Sequence, residues 1–231
     1  MNVLIIGSAG GIGTPLVKDL RKSEHNLLLG YHINKPDEKS EMMEVDARSF
    51  ESINKFINTG IKKFGSVDAI VNLAGNLILK PAHLCSEKEF EETININLKS
   101  SFGIIRSAGS ILNHCSIVLM STAAASIGLA NHELIVSAKA GIEGLARSAA
   151  KTYAKKDIRI NTVSPGLVDT PLASKITKNP ISLKASEKMH ALGRIGLAND
   201  ITRMIIFLIT KENNWITGQN YVVDGGLSNT K

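Results

Sequence analysis

The stretch NVLIIGSAGGIG, residues 2–13, decides the fold class of this chain. A short apolar run ends in a glycine-rich loop, and the helical pattern GTPLVKDLRKS follows directly. Glycines at a strand-to-helix turn let the backbone approach a ligand closely, and the free N–H groups at the helix start attract a pyrophosphate. The alternative is a tight turn without a ligand, but the strand before and the helix after favour a dinucleotide site. Its candidate residues are Gly7, Ser8, Gly11, Ile12 and Gly13.

Beyond this stretch, short apolar runs alternate with longer helical patterns. Strand-like runs cover 26–31, 43–45, 66–75, 115–122, 158–166 and 219–226, and two long helical patterns cover 89–112 and 133–156. This alternation predicts an α/β fold in which helices cover both faces of a parallel sheet. Since no linker, internal repeat or low-complexity tract divides the chain, we expect one domain over residues 1–231.

Composition narrows the class of protein. The 231 residues are 43% apolar and 21% charged, which suits a globular domain with a sizeable core. No apolar run is long enough to span a bilayer, and the two cysteines, Cys85 and Cys115, suit a reducing compartment, so we expect a cytoplasmic protein without a membrane partner. The net charge of +6 is scattered rather than clustered. It therefore predicts no nucleic-acid partner.

Small and polar residues follow three later strand patterns, at the edge where a nucleotide would meet the backbone. IVNLAG ends one strand with small residues, LMSTAAASIG ends the next with hydroxyls suited to a substrate carbonyl, and INTVSPGLVDTPL ends a third with a turn suited to the far end of a dinucleotide. The candidates are Asn72, Ala74, Gly75, Ser121, Thr122, Pro165, Gly166 and Thr170.

Two other polar residues each have two interpretations. Asp46, in VDARSFESI, either accepts a hydrogen bond from an adenine amino group or caps the following helix. Asn97 is a polar residue within a mostly apolar helical pattern. Because a buried amide needs partners, Asn97 either ties its helix to neighbouring backbone or holds a water beside a reacting group.

Together the motifs resemble the short-chain dehydrogenase/reductase family over essentially the whole chain. The resemblance is carried by GSAGGIG, NLAG, NLKSS, ST, SAKAGIEGLARSAAKTYA, IRINTVSPGLVDT, LGRIG and WITGQNYVVDGG. It implies a doubly wound, Rossmann-like sheet of seven parallel strands that binds NAD(H) or NADP(H). It also implies hydride transfer between the nicotinamide and a small carbonyl or alcohol, in a homodimer or homotetramer. The catalytic residues that it implies are Asn97, Thr122 and Lys139, with Ser121 as the alternative hydroxyl.

The chain departs from the family at Ile135, which stands four residues before Lys139 where the family has its proton-donating tyrosine. In the family the lysine lowers the pKa of that tyrosine and holds the nicotinamide ribose. The frame from Thr122 to position 135 fits without a gap, so the chain is expected to be an atypical member that lacks the tyrosine. Tyr31 and Lys35 form a Y-x-x-x-K pair that runs into a proline, and Tyr153 lies about 21 Å beyond Lys139 along a helix. Neither tyrosine replaces the missing acid.

The source of the proton stays open at the level of sequence. The candidates are His132, Glu133, a Lys139 whose pKa is depressed by burial, and a water relayed through Asn97 and Lys139. His132 is included among the catalytic candidates, although its position also suits a partly exposed residue near a helix start. The alternative function is a non-catalytic dinucleotide-binding sensor or partner subunit.

Two segments bear on the ligands. No acid ends the NLLLGY strand to hold a ribose 2′-hydroxyl, and His32 and Lys35 lie nearby, which favours NADP(H) over NAD(H). Only about a dozen residues, which include NKPDEKS, separate the strand ending at Tyr31 from the one around Met43; they are too few for a full helix of average length and predict a turn. Residues 171–194 correspond to the family's mobile substrate lid. Their excess of lysines suits either an anionic substrate or a solvated helix face.

Overall fold

The computed structural model describes residues 1–35 and 41–230. Across these residues the strands are β1 (Asn2–Ile6), β2 (Asn26–Tyr31), β3 (Glu41–Glu44), β4 (Ala69–Asn72), β5 (Ser116–Met120), β6 (Arg159–Pro165) and β7 (Asn220–Val223). They form one parallel sheet in the order β3-β2-β1-β4-β5-β6-β7. The predicted single-domain, doubly wound α/β fold is therefore confirmed. The turn predicted between Tyr31 and Met43 includes residues 36–40, which lie outside the described part.

The strands β1, β2, β4 and β5 are buried on both faces, which explains why they read as nearly continuous apolar runs. The helices are α1 (Gly13–Lys22), α2 (Phe50–Phe64), α3 (Glu87–Thr93), α4 (Ser100–Ile111), α5 (Glu133–Tyr153), α6 (Ser174–Thr177), α7 (Pro180–Met189) and α8 (Ala198–Ile209). Alternate residues of β1 point to opposite layers. Leu4 and Ile6 belong to the core under α2, α4 and α5, whereas Val3 and Ile5 belong to the core under α1 and α8.

The helical pattern at 89–112 differs from the expected single helix. The structure has α3, then a π-helical segment (Ile94–Lys99), then α4. The wider turn leaves the carbonyl of Asn97 to accept hydrogen bonds from the hydroxyls of Ser100 and Ser101, at 3.0 and 2.9 Å. A π-helical turn inside a helix is rare and often occurs at a functional site. Here it carries Asn97.

The start of α2 settles one interpretation of Asp46. Ser49 caps this helix, and its side chain accepts a hydrogen bond from the backbone N–H of Ser52. Asp46 instead forms a two-pronged ion pair with Arg48, with N–O distances of 2.9 and 3.2 Å. The capping role considered for Asp46 is therefore wrong, because the serine is closer to the helix start.

The described part of the chain contains neither a membrane-spanning helix nor a cluster of metal ligands. No helix there is long and apolar enough to cross a membrane. Within residues 1–35 and 41–230, no three His, Cys, Asp or Glu side chains gather as metal ligands would.

Candidate active site

A cleft of about 800 Å³ opens at the carboxyl ends of β1, β4, β5 and β6. In a doubly wound sheet this edge, near the point where the strand order reverses between β1 and β4, is where ligands bind. Most of the sequence candidates line the cleft. They are Gly7, Gly11, Ile12, Gly13, Ala74, Gly75, Ser121, Thr122, Asn97, His132, Ile135, Lys139, Pro165, Gly166 and Thr170.

The glycine loop fits tightly against neighbouring loops. Gly7 has φ +80°, which favours glycine, and a Cβ there would lie 2.9 Å from the backbone nitrogen of Ala74. A Cβ on Gly11 would lie 2.6 Å from the Cβ of Thr170. No side chain caps the start of α1, and its first turn has no acidic residue. The cradle is thus closed to side chains and presents backbone N–H groups, which suits a phosphate.

Asn97 is held by its amide nitrogen and offers its oxygen. Its Nδ2 donates to the carbonyl of Thr93 at 3.0 Å and to Oδ1 of Asn76 at 2.8 Å. Its Oδ1 is buried and has no hydrogen-bond partner in the protein. That oxygen would lie 2.8 Å from a Cβ placed on Gly75. A buried acceptor left open beside a glycine is suited to a water or a ligand hydroxyl.

Lys139, on α5, places its amine close to the same glycine, Gly75. Its Nζ donates to the carbonyl of Met120 at 2.9 Å and would lie 3.7 Å from a Cβ on Gly75. The residue is only 9% exposed, and burial lowers the pKa of its amine to about 8. Ile135, one helical turn earlier and 3% exposed, also lines the cleft. An aliphatic surface therefore occupies the position from which the family resemblance expects a tyrosine.

The two candidate hydroxyls have different partners. Ser121 donates to Oε1 of Glu143 at 2.7 Å and lies 3.2 Å from the carbonyl of Lys139. Thr122 only accepts, from the backbone N–H of Ala124 at 3.3 Å. The Thr122 hydroxyl hydrogen thus remains free to be donated. This geometry favours Thr122 over Ser121 as the group that faces a substrate carbonyl.

His132 is the residue before the first turn of α5, and its ring lines the cleft. Its Nδ1 lies 2.8 Å from the carbonyl of Ala130, which fixes the ring and leaves Nε2 open. His132, Ile135 and Lys139 stand at i, i+3 and i+7, a spacing that puts them on one helix face. Glu133, the other titratable candidate, is exposed and does not line the cleft.

Four predicted cofactor residues lie outside the lining of the cleft. Ser8 is buried, and its hydroxyl donates to the carbonyl of Gly30 at 3.0 Å. Asn72 is buried too; its Nδ2 donates to Ser100 and Ser101, and its Oδ1 accepts from the backbone N–H of Ala74. These two residues brace the loops that form the cleft. The other two are the exposed His32 and the Asp46 carboxyl, whose pKa the Arg48 hydrogen bond lowers.

Several lining residues escaped the sequence analysis. His190, at the end of α7, is buried, with Nδ1 at 2.7 Å from the carbonyl of Ser186 and Nε2 accepting from the backbone N–H of Leu167 at 3.3 Å. No motif signalled it. Asn76 was also missed, although it follows NLAG directly. The other newly identified side chains include six aliphatic ones, Leu77, Leu129, Leu172, Ile176, Met189 and Leu227, and the polar Asn34 and Ser186.

Comparison with known proteins agrees with this geometry. A family model described as Enoyl-(Acyl carrier protein) reductase matches residues 7–228. The Botryotinia fuckeliana protein "Short-chain dehydrogenase/reductase aba4" is 32% identical over 246 residues, covering 97% of this chain and 95% of the relative. The Thermotoga maritima protein "3-oxoacyl-[acyl-carrier-protein] reductase FabG" is 28% identical over 241 residues, covering 97% and 96%.

Solved structures give the same result at the level of the fold. Thermoplasma acidophilum aldohexose dehydrogenase superposes with a TM-score of 0.89 at 28% identity, covering 98% of this chain and 94% of that chain. The structure described as ElxO with NADP bound superposes with a TM-score of 0.88 at 27% identity, covering 98% of both chains.

Proposed function

Because the chain belongs to the short-chain dehydrogenase/reductase family, we propose that it is an NAD(P)-dependent oxidoreductase acting on a small carbonyl or alcohol, with an altered proton-transfer step. The nicotinamide, when bound, supplies or accepts the hydride at the reacting carbon. The residues of this chain hold the dinucleotide, orient the substrate oxygen and move the proton.

One observation carries the proposal: the Asn97 Oδ1 and the Lys139 Nζ converge on Gly75 in a cleft that the glycine loop also lines. The fit to a dinucleotide is supported by the glycine loop, where a side chain at Gly7 or Gly11 would collide with neighbouring loops and displace them from the cleft. The open Asn97 oxygen and the buried amine offer an acceptor and a donor for ribose hydroxyls or a water. Gly166 and Thr170 complete the proposed site on the β6 side.

The proposed proton donor is His132, acting through Nε2. Only three titratable side chains line the cleft among the described residues: His132, Lys139 and His190. Both ring nitrogens of His190 already have backbone partners. Lys139 is buried, and the family resemblance assigns its amine to the ribose. His132 is half-buried, so solvent can return its proton, and histidine is the side chain that most often acts as a general acid.

Each remaining group has a proposed role in this step. The Thr122 hydroxyl donates to the carbonyl oxygen and orients it. As that oxygen gains charge, the His132 imidazolium gives up its Nε2 proton, an O–H bond forms, and the ring is left neutral with its hydrogen on Nδ1. Ile135 supplies no proton. Its aliphatic side chain excludes water from the helix face between His132 and Lys139.

The test of His132 is chemical rescue. His132→Ala should lower kcat/KM for carbonyl reduction by about 10²-fold or more, and added imidazole should restore part of the lost rate. The matched control is His83→Ala, since His83 is exposed and does not line the cleft. A His132→Ala enzyme with normal turnover would exclude this proton route.

Ile135 favours a second candidate function, a dinucleotide-binding sensor or partner subunit without catalysis. Equilibrium binding of NADPH and NADH, followed by a turnover assay on a panel of carbonyls, separates the two functions. Binding without turnover in the parent, together with carbonyl reduction by Ile135→Tyr, would support the second candidate.

Cofactor choice and assembly extend the proposal. We propose NADP(H) over NAD(H), supported by the exposed His32 and Lys35 after β2 and by the Arg48 pairing that takes up the Asp46 carboxylate. The ratio of the two dissociation constants tests this preference. A cytoplasmic homodimer or homotetramer is proposed by family likeness, and sedimentation measures the assembly.

A further inference from the structure

Building on the proposed function, we propose that the substrate is an apolar carbonyl compound, or the matching alcohol, whose hydrocarbon part packs against an aliphatic wall of the cleft. The aliphatic wall consists of Leu129, Ile135, Leu172, Ile176, Met189 and Leu227.

The wall is built from three separate parts of the chain. Leu129 and Ile135 come from the loop before α5 and its first turn. Leu172, Ile176 and Met189 come from the segment between β6 and α8, and Leu227 follows β7. These side chains share one cleft with Thr122, His132 and Lys139. A molecule whose oxygen reaches the polar groups can therefore extend its carbon skeleton along the wall within the same cleft.

Charge in the cleft argues against a strongly polar substrate. Among the lining residues that the structure describes, Lys139 is the only Asp, Glu, Lys or Arg. A polyol lying along the wall would lose hydrogen bonds to water without gaining partners, which is unfavourable for every hydroxyl left unpaired. An alkyl or aryl group gains free energy from the same contact, because apolar surface leaves water.

The lid segment has apolar surface that the protein itself does not cover. Leu172 is 55% exposed and Met189 is 46% exposed, although both line the cleft. The helix α7 buries none of its side chains. A bound hydrocarbon chain would cover Leu172, Ile176 and Met189. An apolar ligand would therefore stabilise the contact between the lid and the cleft.

The basic residues of the lid do not contradict this substrate class. Lys175, Lys178, Lys184 and Lys188 are exposed and are absent from the lining of the cleft. Their positions suit the solvated helix face that the sequence allowed, and they leave the choice of substrate to the aliphatic wall.

The test measures binding without turnover. The full-length protein, saturated with NADP⁺, is titrated calorimetrically with 2-octanone and, separately, with D-fructose; a ketone cannot be reduced by the oxidised cofactor. We expect 2-octanone to bind at least about tenfold more tightly. Met189→Ser and Leu172→Ser should each weaken 2-octanone binding by about fivefold or more, since apolar contact is lost, with NADP⁺ affinity within about twofold of the parent.

The control variant is Ile181→Ser on the same helix, because Ile181 is 83% exposed and does not line the cleft. It should change 2-octanone binding by less than about twofold. Equal or tighter binding of D-fructose, or unchanged 2-octanone binding in both wall variants, would overturn the inference. If 2-octanone binds through the wall but NADPH never reduces any carbonyl, the proposed function fails while the ligand class holds. If NADPH reduces D-fructose in preference to 2-octanone, the proposed function holds and the ligand class fails.

Discussion

The buried Lys139 affects the stability of the protein and also lies in its proposed site. Its amine donates to the Met120 carbonyl and lies near Gly75, and no carboxylate lines the cleft in the described part of the chain. Taking an ammonium out of water without a counter-charge is unfavourable, and this desolvation lowers the pKa of the amine from 10.5 to about 8. Ile135, one helical turn before it, gives the amine no polar partner.

The substitution Lys139→Met should therefore stabilise the protein at pH 7. Because the folded pKa lies below the unfolded one, the unfolded chain binds more protons between about pH 8 and 10.5, and the stability of the parent rises with pH across that window. Removing the buried charge should add about 2 kcal/mol to the free energy of unfolding at pH 7, after the lost Met120 hydrogen bond is counted, and less at pH 9.5. Urea denaturation at both values of pH measures the difference. The exposed Lys151→Met, on the same helix, should show no such gain; a Lys139→Met protein less stable than the parent at pH 7 would contradict the expectation.

At the scale of elements, the packing of α4 on α5 depends on a glycine. A Cβ on Gly109 would overlap the ring of Tyr153, so a larger residue there requires the ring to move away from α4. This contact also explains why Tyr153 takes no part in the site: its ring is packed against α4.

Gly109→Ala should lower the free energy of unfolding by about 1–3 kcal/mol, since the Tyr153 ring loses its packing against α4 when the new methyl group displaces it. The loss should shrink when the substitution is made in a Tyr153→Leu background, which a double-mutant cycle measures. Gly144→Ala on α5 is the matched control, because the nearest atom to a Cβ there is the Arg147 Nη2 at 3.9 Å. That control should be neutral or stabilising by up to about 1 kcal/mol. Equal losses for both variants would show that glycine conformation, and not the Tyr153 contact, governs the effect.

The elements were predictable where one physical signal dominated. Strands buried on both faces read as apolar runs, so β1 and β2 were found nearly to the residue. The π-helical segment was not, because its apolar spacing matches that of an ordinary helix. Buried polar residues gave the least secure predictions: Ser8 and Asn72 brace loops in the structure, yet a bracing serine and a ligand-binding one look alike in sequence. The aliphatic wall was missed since its members are brought together only by the tertiary fold.

At the scale of the whole molecule, the cleft joins loops from strands that are distant in sequence, so a ligand there should stabilise the entire domain. A dinucleotide that binds only the folded state, at about 100 times its dissociation constant, should add about 2.7 kcal/mol to the free energy of unfolding. Gly11→Ala should abolish most of this gain. The new Cβ would lie 2.6 Å from the Cβ of Thr170 and 2.9 Å from the Cδ of Pro171, and it would push the β1 and β6 loops apart.

Gly128→Ala is the control, since no atom lies within 4 Å of a Cβ at that position. Thermal unfolding with and without NADPH measures the gain, and a Gly11→Ala protein that NADPH stabilises as strongly as it does the parent would show that the dinucleotide does not lie across these loops.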